Sequence, residues 1–213
     1  MALGPSVVTL TPPLQFSWRS PFALTNAIAG DNALYGFNSA GEIVAVNGGS
    51  GAQRWVTGHQ YVGGRISRTG SRLVAYRKNE GLTLIDDLGV SPNERVIISF
   101  GANESTTLSM PVLDEKMIYY AVNQGLYAVH QDMGLRFGTI LSDAIPHAVA
   151  LVSPGEIITV NGYGIPSRYQ ATGSAFSLRW NGEPHGVTTA QSWKTFIVAN
   201  NRIIVGIEDH TFA

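Results

Sequence analysis

One pattern, a segment of about 40 residues that recurs along the chain, limits the possible folds more than any other feature. The clearest copy is residues 33–55, in which apolar stretches alternate with turns rich in Gly and Asn and the last stretch ends at Trp55. The same order recurs at residues 117–137 and, more loosely, at residues 72–87 and 156–180. Apolar residues alternate with period two in each copy, which predicts strands and not helices. We therefore expect a repeat architecture built from small antiparallel sheets.

The residues that end each copy indicate the number of units. Five such markers, each on the predicted last strand of its unit, are Trp18, Trp55, Val96, Phe137 and Trp180. Residues 7–19 have the pattern of the last two strands of a unit, and residues 195–209 have the pattern of the first two. Pairing the two chain ends in one sheet would close a ring and leave no apolar edge uncovered. The sequence thus predicts a single domain, residues 1–213, with five units; four units closed by a partner strand are the alternative.

The copies resemble the repeat of the pyrroloquinoline-quinone-like β-propeller family. That repeat has an aromatic-rich strand, a turn with Gly, a second alternating strand, a Gly turn and a Trp, and LYGFNSAGEIVAVNGGSGAQRW at residues 34–55 matches this order well. GLYAVHQDMGLRF at residues 125–137 matches it moderately. The resemblance implies an all-β, five-bladed propeller of four-stranded antiparallel blades; an ordinary antiparallel sandwich is the alternative. It implies no cofactor, because the quinone enzymes with this repeat have larger rings and an export signal, which this sequence lacks.

Composition and motifs argue against several classes of function. The chain has no Cys, which excludes disulfides, thiolate zinc sites and cysteine nucleophiles. Its net charge of −1 gives no general attraction to nucleic acid or to an anionic membrane. The sequence contains none of the phosphate-loop, HExxH, GxSxG or GxGxxG motifs. We expect no cofactor, no metal, no nucleic-acid partner and no membrane insertion, and the N-terminus lacks the basic opening of a secretory signal.

The positions of the carboxylates make a glycosidase the third-ranked function. Such enzymes need two carboxyl groups about 5–10 Å apart in one site, and in a propeller that site would be lined by the first strand of each blade. The predicted first strands, near residues 25–30, 65–69, 108–113, 147–152 and 195–199, contain no Asp or Glu. Asp31, Asp114 and Glu156 follow these strands and are expected to be solvated turn residues. We therefore predict that the protein is not an enzyme.

Histidine and aromatic residues gather in loops that should share one face of a propeller. These loops follow the outer strand of each blade or join its second and third strands, and rigid scaffolds commonly carry function on such loops. Aromatic side chains bury a large area at low entropic cost, which suits them to binding. The candidate partner-binding or ligand-binding residues are His59, Tyr61, Phe100, Tyr163, His185 and Trp193.

The Trp residues on the outer strands are predicted to have a structural role. Because they recur at the spacing of the repeat, packing between blades explains them better than ligand stacking does. Arg residues stand beside the markers, and the same argument predicts that they stack or cap carbonyl groups; they are Arg19, Arg54, Arg136 and Arg179.

The predicted function is that of a non-catalytic structural or binding module. The chain is low in Lys and rich in Asn, Gly, Ser and Thr, and it contains no catalytic constellation. These features favour a component of a phage virion, in the tail, a fibre or the capsid, where it would contact other protein subunits. The alternative is a lectin-like propeller that binds a glycan. The predicted location is the virion, with the cytoplasm as the alternative.

Overall fold

The computed structural model describes residues 23–100, 109–140, 146–161, 164–182, 193–199, 202–207 and 210–212. In the last three ranges, and at residues 63, 146 and 147, it describes the backbone alone. The described residues form five antiparallel sheets in which consecutive strands pair: four sheets of four strands and a fifth of three. None of them belongs to a helix long and apolar enough to span a membrane.

The strands follow one another in chain order within each sheet. The first sheet contains β1 (Thr25–Ala29), β2 (Ala33–Phe37), β3 (Ile43–Asn47) and β4 (Gln53–Val56), and the second contains β5 (Tyr61–Thr69), β6 (Arg72–Arg77), β7 (Gly81–Asp87) and β8 (Pro92–Ser99). The third contains β9 (Val112–Leu113), β10 (Met117–Val122), β11 (Gly125–His130) and β12 (Arg136–Ile140). The fourth contains β13 (Pro146–Ser153), β14 (Glu156–Asn161), β15 (Pro166–Ala171) and β16 (Phe176–Asn181), and the fifth contains β17 (Trp193–Ala199), β18 (Arg202–Ile207) and β19 (His210–Phe212).

The first strands of consecutive sheets contact one another, from β1 through β5, β9 and β13 to β17. This is the arrangement of propeller blades around a centre, and it confirms the predicted all-β propeller with four-stranded antiparallel blades. Because the strands alternate in direction, the second–third and fourth–first connections lie at one end of the blades, which we call the loop face. The first–second and third–fourth connections lie at the other end, which we call the base.

The two middle strands of the first three blades are buried on both faces. In β3, for example, Ile43, Val44, Ala45 and Val46 are all buried, although successive side chains point to opposite faces of the sheet. When another sheet packs against each face of a strand, side chains on both faces are buried. The sequences of these strands are therefore continuous apolar segments. The outer strand β12, in contrast, alternates between exposed and partly buried residues.

The described side chains form three apolar core clusters, each between two neighbouring blades. Trp55 and Tyr35 of the first blade pack with Tyr61 of the second. Tyr76 of the second blade packs with Tyr120 of the third, and Tyr119 of the third packs on the face that meets the fourth. We call these contacts the first, second and third junctions. Neighbouring blades therefore bury the apolar faces that no single repeat could bury.

The structure corrects two details of the predicted repeat. In the first blade Trp55 pairs with Ala45, two residues before Asn47, which is the partner of the first residue of β2. In the second blade Asp86 is the partner of the first residue of β6, and Leu84 lies two residues before it. The equivalent pair in the second blade joins Leu84 to Arg95, so the outer-strand position belongs to Arg95 and not to Val96.

The second correction concerns the last blade. Its third strand is β19, from the C-terminus, which pairs with Val205–Ile207 of β18, whereas the sequence predicts residues 7–19 as the last two strands of this blade. Residues 7–19 lie outside the described residues, so closure of the ring by the N-terminus stays a prediction.

Candidate functional site

A groove opens on the loop face at the second junction, close to where β8 ends and where β10 turns into β11. Its volume is about 180 Å³. The lining side chains are mostly aromatic, apolar or amide, and they come from Phe100, Tyr120, Val122, Asn123, Gln124, Gly125, Tyr127, Arg136 and Ile140. Of the predicted site residues whose side chains the structure describes, only Phe100 lines this groove.

The aromatic rings of the groove form a continuous row across the junction. The Phe100 ring centroid lies 5.8 Å from that of Tyr76 and 6.0 Å from that of Tyr120. Tyr120 in turn stacks on Tyr127 with centroids 5.5 Å apart and planes inclined by 25°. Tyr76 and Tyr120 are buried, whereas Phe100 and Tyr127 are partly exposed. The row is therefore anchored in the core at Tyr76 and Tyr120, and it reaches the surface at Phe100 and at its outer end, Tyr127.

Two glycines allow the Tyr127 ring to lie flat on its sheet. Gly138 is the direct cross-strand partner of Tyr127, and a Cβ added there would lie 2.3 Å from the Tyr127 ring. A Cβ at Gly125 would lie 2.4 Å from the same ring. Any other residue at these two positions would push the ring away from the sheet. The two glycines thus shape the floor of the groove.

A guanidinium and an exposed aliphatic residue complete the outer wall. The Arg136 Cζ lies 4.6 Å from the centre of the Tyr127 ring, a distance at which a cation is attracted to a ring face. Ile140 is 77% exposed at the end of β12. The prediction that Arg136 stacks is confirmed, although its stacking partner also lines the groove.

His59 and Tyr61 meet at one carboxylate, away from this groove. The Tyr61 hydroxyl donates to Glu94 Oε2 at 2.5 Å, and His59 Nδ1 lies 3.0 Å from the same oxygen. Burial raises the pKa of Tyr61, and the hydrogen bond to Glu94 raises it further. Since Tyr61 is 4% exposed and belongs to the first core cluster, it holds the first two blades together instead of presenting a ring to a ligand. His59 remains partly exposed at this contact.

The other three predicted site residues have no described side chain. Tyr163 and His185 lie outside the described residues. Trp193, predicted to precede the inner strand near residues 195–199, is the first residue of that strand, β17, and only its backbone is described. Their roles as candidate binding residues stay predictions.

The first junction is closed at its base by one buried carboxylate, Asp87. It accepts hydrogen bonds from the Tyr35 hydroxyl at 2.6 Å and from the Trp55 indole Nε1 at 2.8 Å. Arg54 Nη1 lies 3.3 Å from Asp87, and Arg54 Nε donates to the carbonyl oxygen of Gly89 at 3.1 Å. These contacts confirm that Trp55 packs between blades and that Arg54 caps a carbonyl.

The same contacts shift the pKa values of both partners in the Tyr35–Asp87 pair. Burial raises the pKa of Tyr35 to about 12, assisted by the hydrogen bond to Asp87. Burial also acts to raise the pKa of Asp87, but the donors Tyr35, Trp55 and Gly89 and the charge of Arg54 outweigh it and hold that pKa below its ordinary value. Asp87 is therefore an ionised structural group at neutral pH.

The second junction uses Gln131 at the equivalent place. Its side-chain oxygen accepts from Arg72 Nη1 at 2.9 Å, and its backbone oxygen accepts from Arg95 Nη2 at 2.9 Å. Gln131 Nε2 donates to the Asp114 carbonyl oxygen at 2.6 Å. The side-chain and backbone oxygens of Gln131 thus join two Arg residues of the second blade to the third blade, and Gln131 is fully buried.

Asp114 is buried, contrary to the prediction that it is a solvated turn residue. Its Oδ1 accepts from the backbone nitrogens of Lys116 and Met117, and its Oδ2 accepts from the Tyr119 hydroxyl at 2.9 Å and from Gly155 N at 3.2 Å. The last contact links the third and fourth blades. The sequence showed the turn but not that the next blade covers it. Asp31 is exposed as predicted, and Glu156 is partly buried beside Arg168.

No described cluster of three or more His, Asp or Glu side chains is arranged to hold a metal ion. The described first strands carry no carboxylate, as their sequences already showed. The sequence analysis missed Tyr120, Tyr127 and Ile140 as groove residues. The alternation of residues in β10–β12 indicates which side chains share a face of each strand. It does not show that Tyr120, Tyr127 and Ile140 lie together, because that depends on the strand register, in which Gly138 is opposite Tyr127.

Comparison with known proteins supports the fold and gives no activity. No family model matches the chain, and no curated protein matches its sequence. Solved β-propellers do match. The computationally designed Ika8 protein is 11% identical, with a TM-score of 0.64 over 86% of this chain and 55% of the other. The propeller domain of Cps50 (Swd1) from Myceliophteria thermophila is 9% identical, with a TM-score of 0.64 over 84% of this chain and 64% of the other.

BamB from Moraxella catarrhalis is 16% identical, with a TM-score of 0.58 over 86% of this chain and 57% of the other. BamB has a propeller of the pyrroloquinoline-quinone-like type. The chain therefore spans between about half and two thirds of the length of these three structures. At this level of identity the similarity shows a propeller fold.

Proposed function

We propose that the protein is a non-catalytic β-propeller that binds another protein subunit through the aromatic groove on its loop face. The observation that carries this proposal is the row of rings from Tyr76 to Tyr127, with Arg136 over its outer end. Tyr and Arg are enriched among the residues that contribute most to protein–protein binding. Here the Tyr127 ring is held in place by stacking on the buried Tyr120, which lowers the entropic cost of binding.

Three carboxylates near the blade junctions are engaged in structural contacts, which supports a non-catalytic role for them. Asp87 and Asp114 are engaged by donors within the blade junctions, and Glu94 is engaged by Tyr61 and His59. A general acid or nucleophile has to face a substrate, and none of these three groups lines the aromatic groove. The groove offers stacking surface, amides and a guanidinium, which are binding groups.

The setting that we propose is a larger assembly, and specifically a virion. This part of the proposal rests on the composition of the chain and on its lack of catalytic motifs. It predicts that the protein from its source sediments with particles and that neighbouring genes encode capsid or tail proteins. Sedimentation as a free chain, with unrelated neighbouring genes, would contradict the virion setting. It would leave the proposed binding role of the aromatic groove unaffected.

Photo-crosslinking tests the groove directly. A photoreactive phenylalanine at Ile140, which is 77% exposed beside the groove, should capture one protein subunit in lysate of the source. The matched control is the same group at Val90, which is 85% exposed in the connection between β7 and β8 at the base. We expect the partner at Ile140 and not at Val90. Capture at Val90 alone, or at both positions equally, would contradict the proposal.

A glycan is the second candidate ligand, because the groove also has features of a sugar site. The partly exposed Tyr127 ring has the Asn123 and Gln124 side chains and Arg136 around it, which could hydrogen-bond to hydroxyl groups. A glycan array gives the answer. Binding to one glycan class that is lost in Tyr127→Ala and kept in Tyr127→Phe would favour the lectin over the protein-binding module.

A further inference from the structure

We propose a second binding site, for a single aromatic ring of phenyl or indole size, in a cleft at the base of the third junction. The cleft has a volume of about 380 Å³. Its walls include Met117, Tyr119, Phe137, Pro154 and Ala171. It lies between the third and fourth blades and at the end opposite to the aromatic groove, so it is a separate site that does not depend on the proposed function.

The registers of the sheets show what occupies this place at the first junction. Trp55 pairs with Ala45 and Phe137 pairs with Ala128, so Phe137 holds the position of Trp55. The blade that faces Trp55 is the second blade, where Asp86 pairs with the first residue of β6. The blade that faces Phe137 is the fourth blade, where Gln170 pairs with the first residue of β14. The residue that follows each of them is Asp87 in the second blade and Ala171 in the fourth.

The two substitutions leave space that the first junction fills. There the indole of Trp55 and the carboxylate of Asp87 meet at 2.8 Å. At the third junction the smaller phenyl ring of Phe137 replaces the indole, and the methyl group of Ala171 replaces the carboxylate. Both side chains line the cleft. Phe137 packs instead on Phe176, with ring centroids 5.2 Å apart. The volume that an indole and a carboxylate would take is therefore left open.

The polar groups around the cleft are satisfied without a ligand. Tyr119, at the position of Tyr35, donates its hydroxyl to Asp114 of its own blade at 2.9 Å. Each oxygen of the Asp114 carboxylate already accepts from two donors. The inner walls consequently offer apolar contact and not an unpaired donor or acceptor, which selects an apolar ring.

Size and charge define the ligand further. A closed apolar cavity of about 150 Å³ is sufficient to bind benzene, and this cleft is larger. Its charged lining consists of Asp114, Glu115 and Lys116, two carboxylates and one ammonium group, of which Glu115 and Lys116 are exposed. A neutral ring should therefore bind more tightly than the same ring with a carboxylate group attached.

Ligand-observed NMR titration of the full chain with indole tests the site. We expect saturable binding of indole and weaker binding of indole-3-acetate. Ala171→Leu, which puts a larger side chain into the cleft, should abolish binding. Ser177→Leu is the matched control, because it adds the same side chain at an exposed position of β16 outside the cleft and should leave binding unchanged. If Ala171→Leu fails to fold, Phe137→Trp replaces it, with the same expected loss.

A parallel titration with N-acetyltryptophanamide identifies the source of the ring. Binding as tight as that of indole would assign the cleft to an aromatic side chain on a peptide, and binding of indole alone would assign it to a small free molecule. No saturable binding of either compound would overturn the proposal. So would binding that survives in a folded Ala171→Leu variant, or tighter binding of indole-3-acetate than of indole.

Discussion

The first and third junctions are built from the same repeat, yet one is closed by a polar contact and the other is open. At the first, Trp55 and Tyr35 both donate to Asp87 of the next blade. At the third, Phe137 and Tyr119 hold the equivalent positions, but the next blade offers Ala171 and a cleft remains. The comparison teaches that the apolar middle strands specify the blade. One residue on the outer strand and one at the end of the facing third strand decide whether a junction is sealed or can accept a ligand.

The largest effect should come from removing the indole of the closed junction. Trp55→Ala should lower the free energy of unfolding by about 3–5 kcal/mol, as truncation of a buried Trp does. Phe137→Ala should cost clearly less, because Phe137 is only partly buried and already borders open space. Urea unfolding of both variants measures the difference. Equal losses would break the comparison between the two junctions.

Removing the carboxylate should have the next largest effect. Asp87→Ala leaves the Tyr35 hydroxyl and the Trp55 Nε1 without their shared acceptor, and a buried donor that loses its partner costs about 1–3 kcal/mol. Ala171→Ser is the matched change on the open side, and its effect on unfolding should be small. A neutral result for Asp87→Ala would show that the polar contact does not stabilise the closed junction.

Acid should remove the contribution of Asp87. Because its folded pKa is held below the ordinary value, the stabilisation is present above the ordinary carboxyl pKa of about 3.9 and is lost as the pH falls through the lowered folded value. The difference in unfolding free energy between the unmodified protein and Asp87→Asn should therefore shrink below about pH 4. A difference that stays constant down to pH 2 would assign the effect of the substitution to packing.

Filling the open junction should have the smallest effect on stability, and a favourable one. Ala171→Leu should raise the free energy of unfolding by about 0.5–2 kcal/mol, as cavity-filling changes do. Ala75→Leu is the control, because Ala75 is fully buried in the closed first junction, where an added side chain should cost about 1–3 kcal/mol. Thermal unfolding of the two variants gives the signs. Destabilisation by both would mean that the third junction is closed as well.

The repeat made most of the fold predictable. Period-two alternation and the spacing of Trp55, Phe137 and Trp180 placed these residues on outer strands, where the structure has them. The register of the second blade was harder, because Arg95 holds the outer-strand position and its neighbour Val96 looked more like an apolar marker. When one copy of the repeat has a polar residue where the others have an aromatic one, the strand register cannot be predicted from the apolar pattern. The sequence does not distinguish an Arg that donates across a junction from an Arg that is exposed to solvent.

The candidate site was less predictable, because its contacts lie between blades. Tyr61 looked like a surface aromatic residue but is held in the core by Glu94, which is distant in sequence. Asp114 looked solvated because it stands in a turn, but Gly155 of the next blade covers it. Phe100 lies on the loop face as predicted, directly after the outer strand β8. Its partners Tyr120 and Tyr127 follow only from the pairing of β10 with β11.

The affinity of the subunit captured at Ile140, measured by titration calorimetry, tests the proposed role of the aromatic groove most directly. Tyr127→Ala should weaken binding by about 30-fold, the effect of losing an interface residue worth ~2 kcal/mol. Tyr127→Phe, which keeps the ring over Gly138, should bind nearly as the unmodified protein does, and both variants should keep its melting temperature to within a few degrees. Unchanged affinity in a folded Tyr127→Ala variant would contradict the assignment of the groove as the binding site.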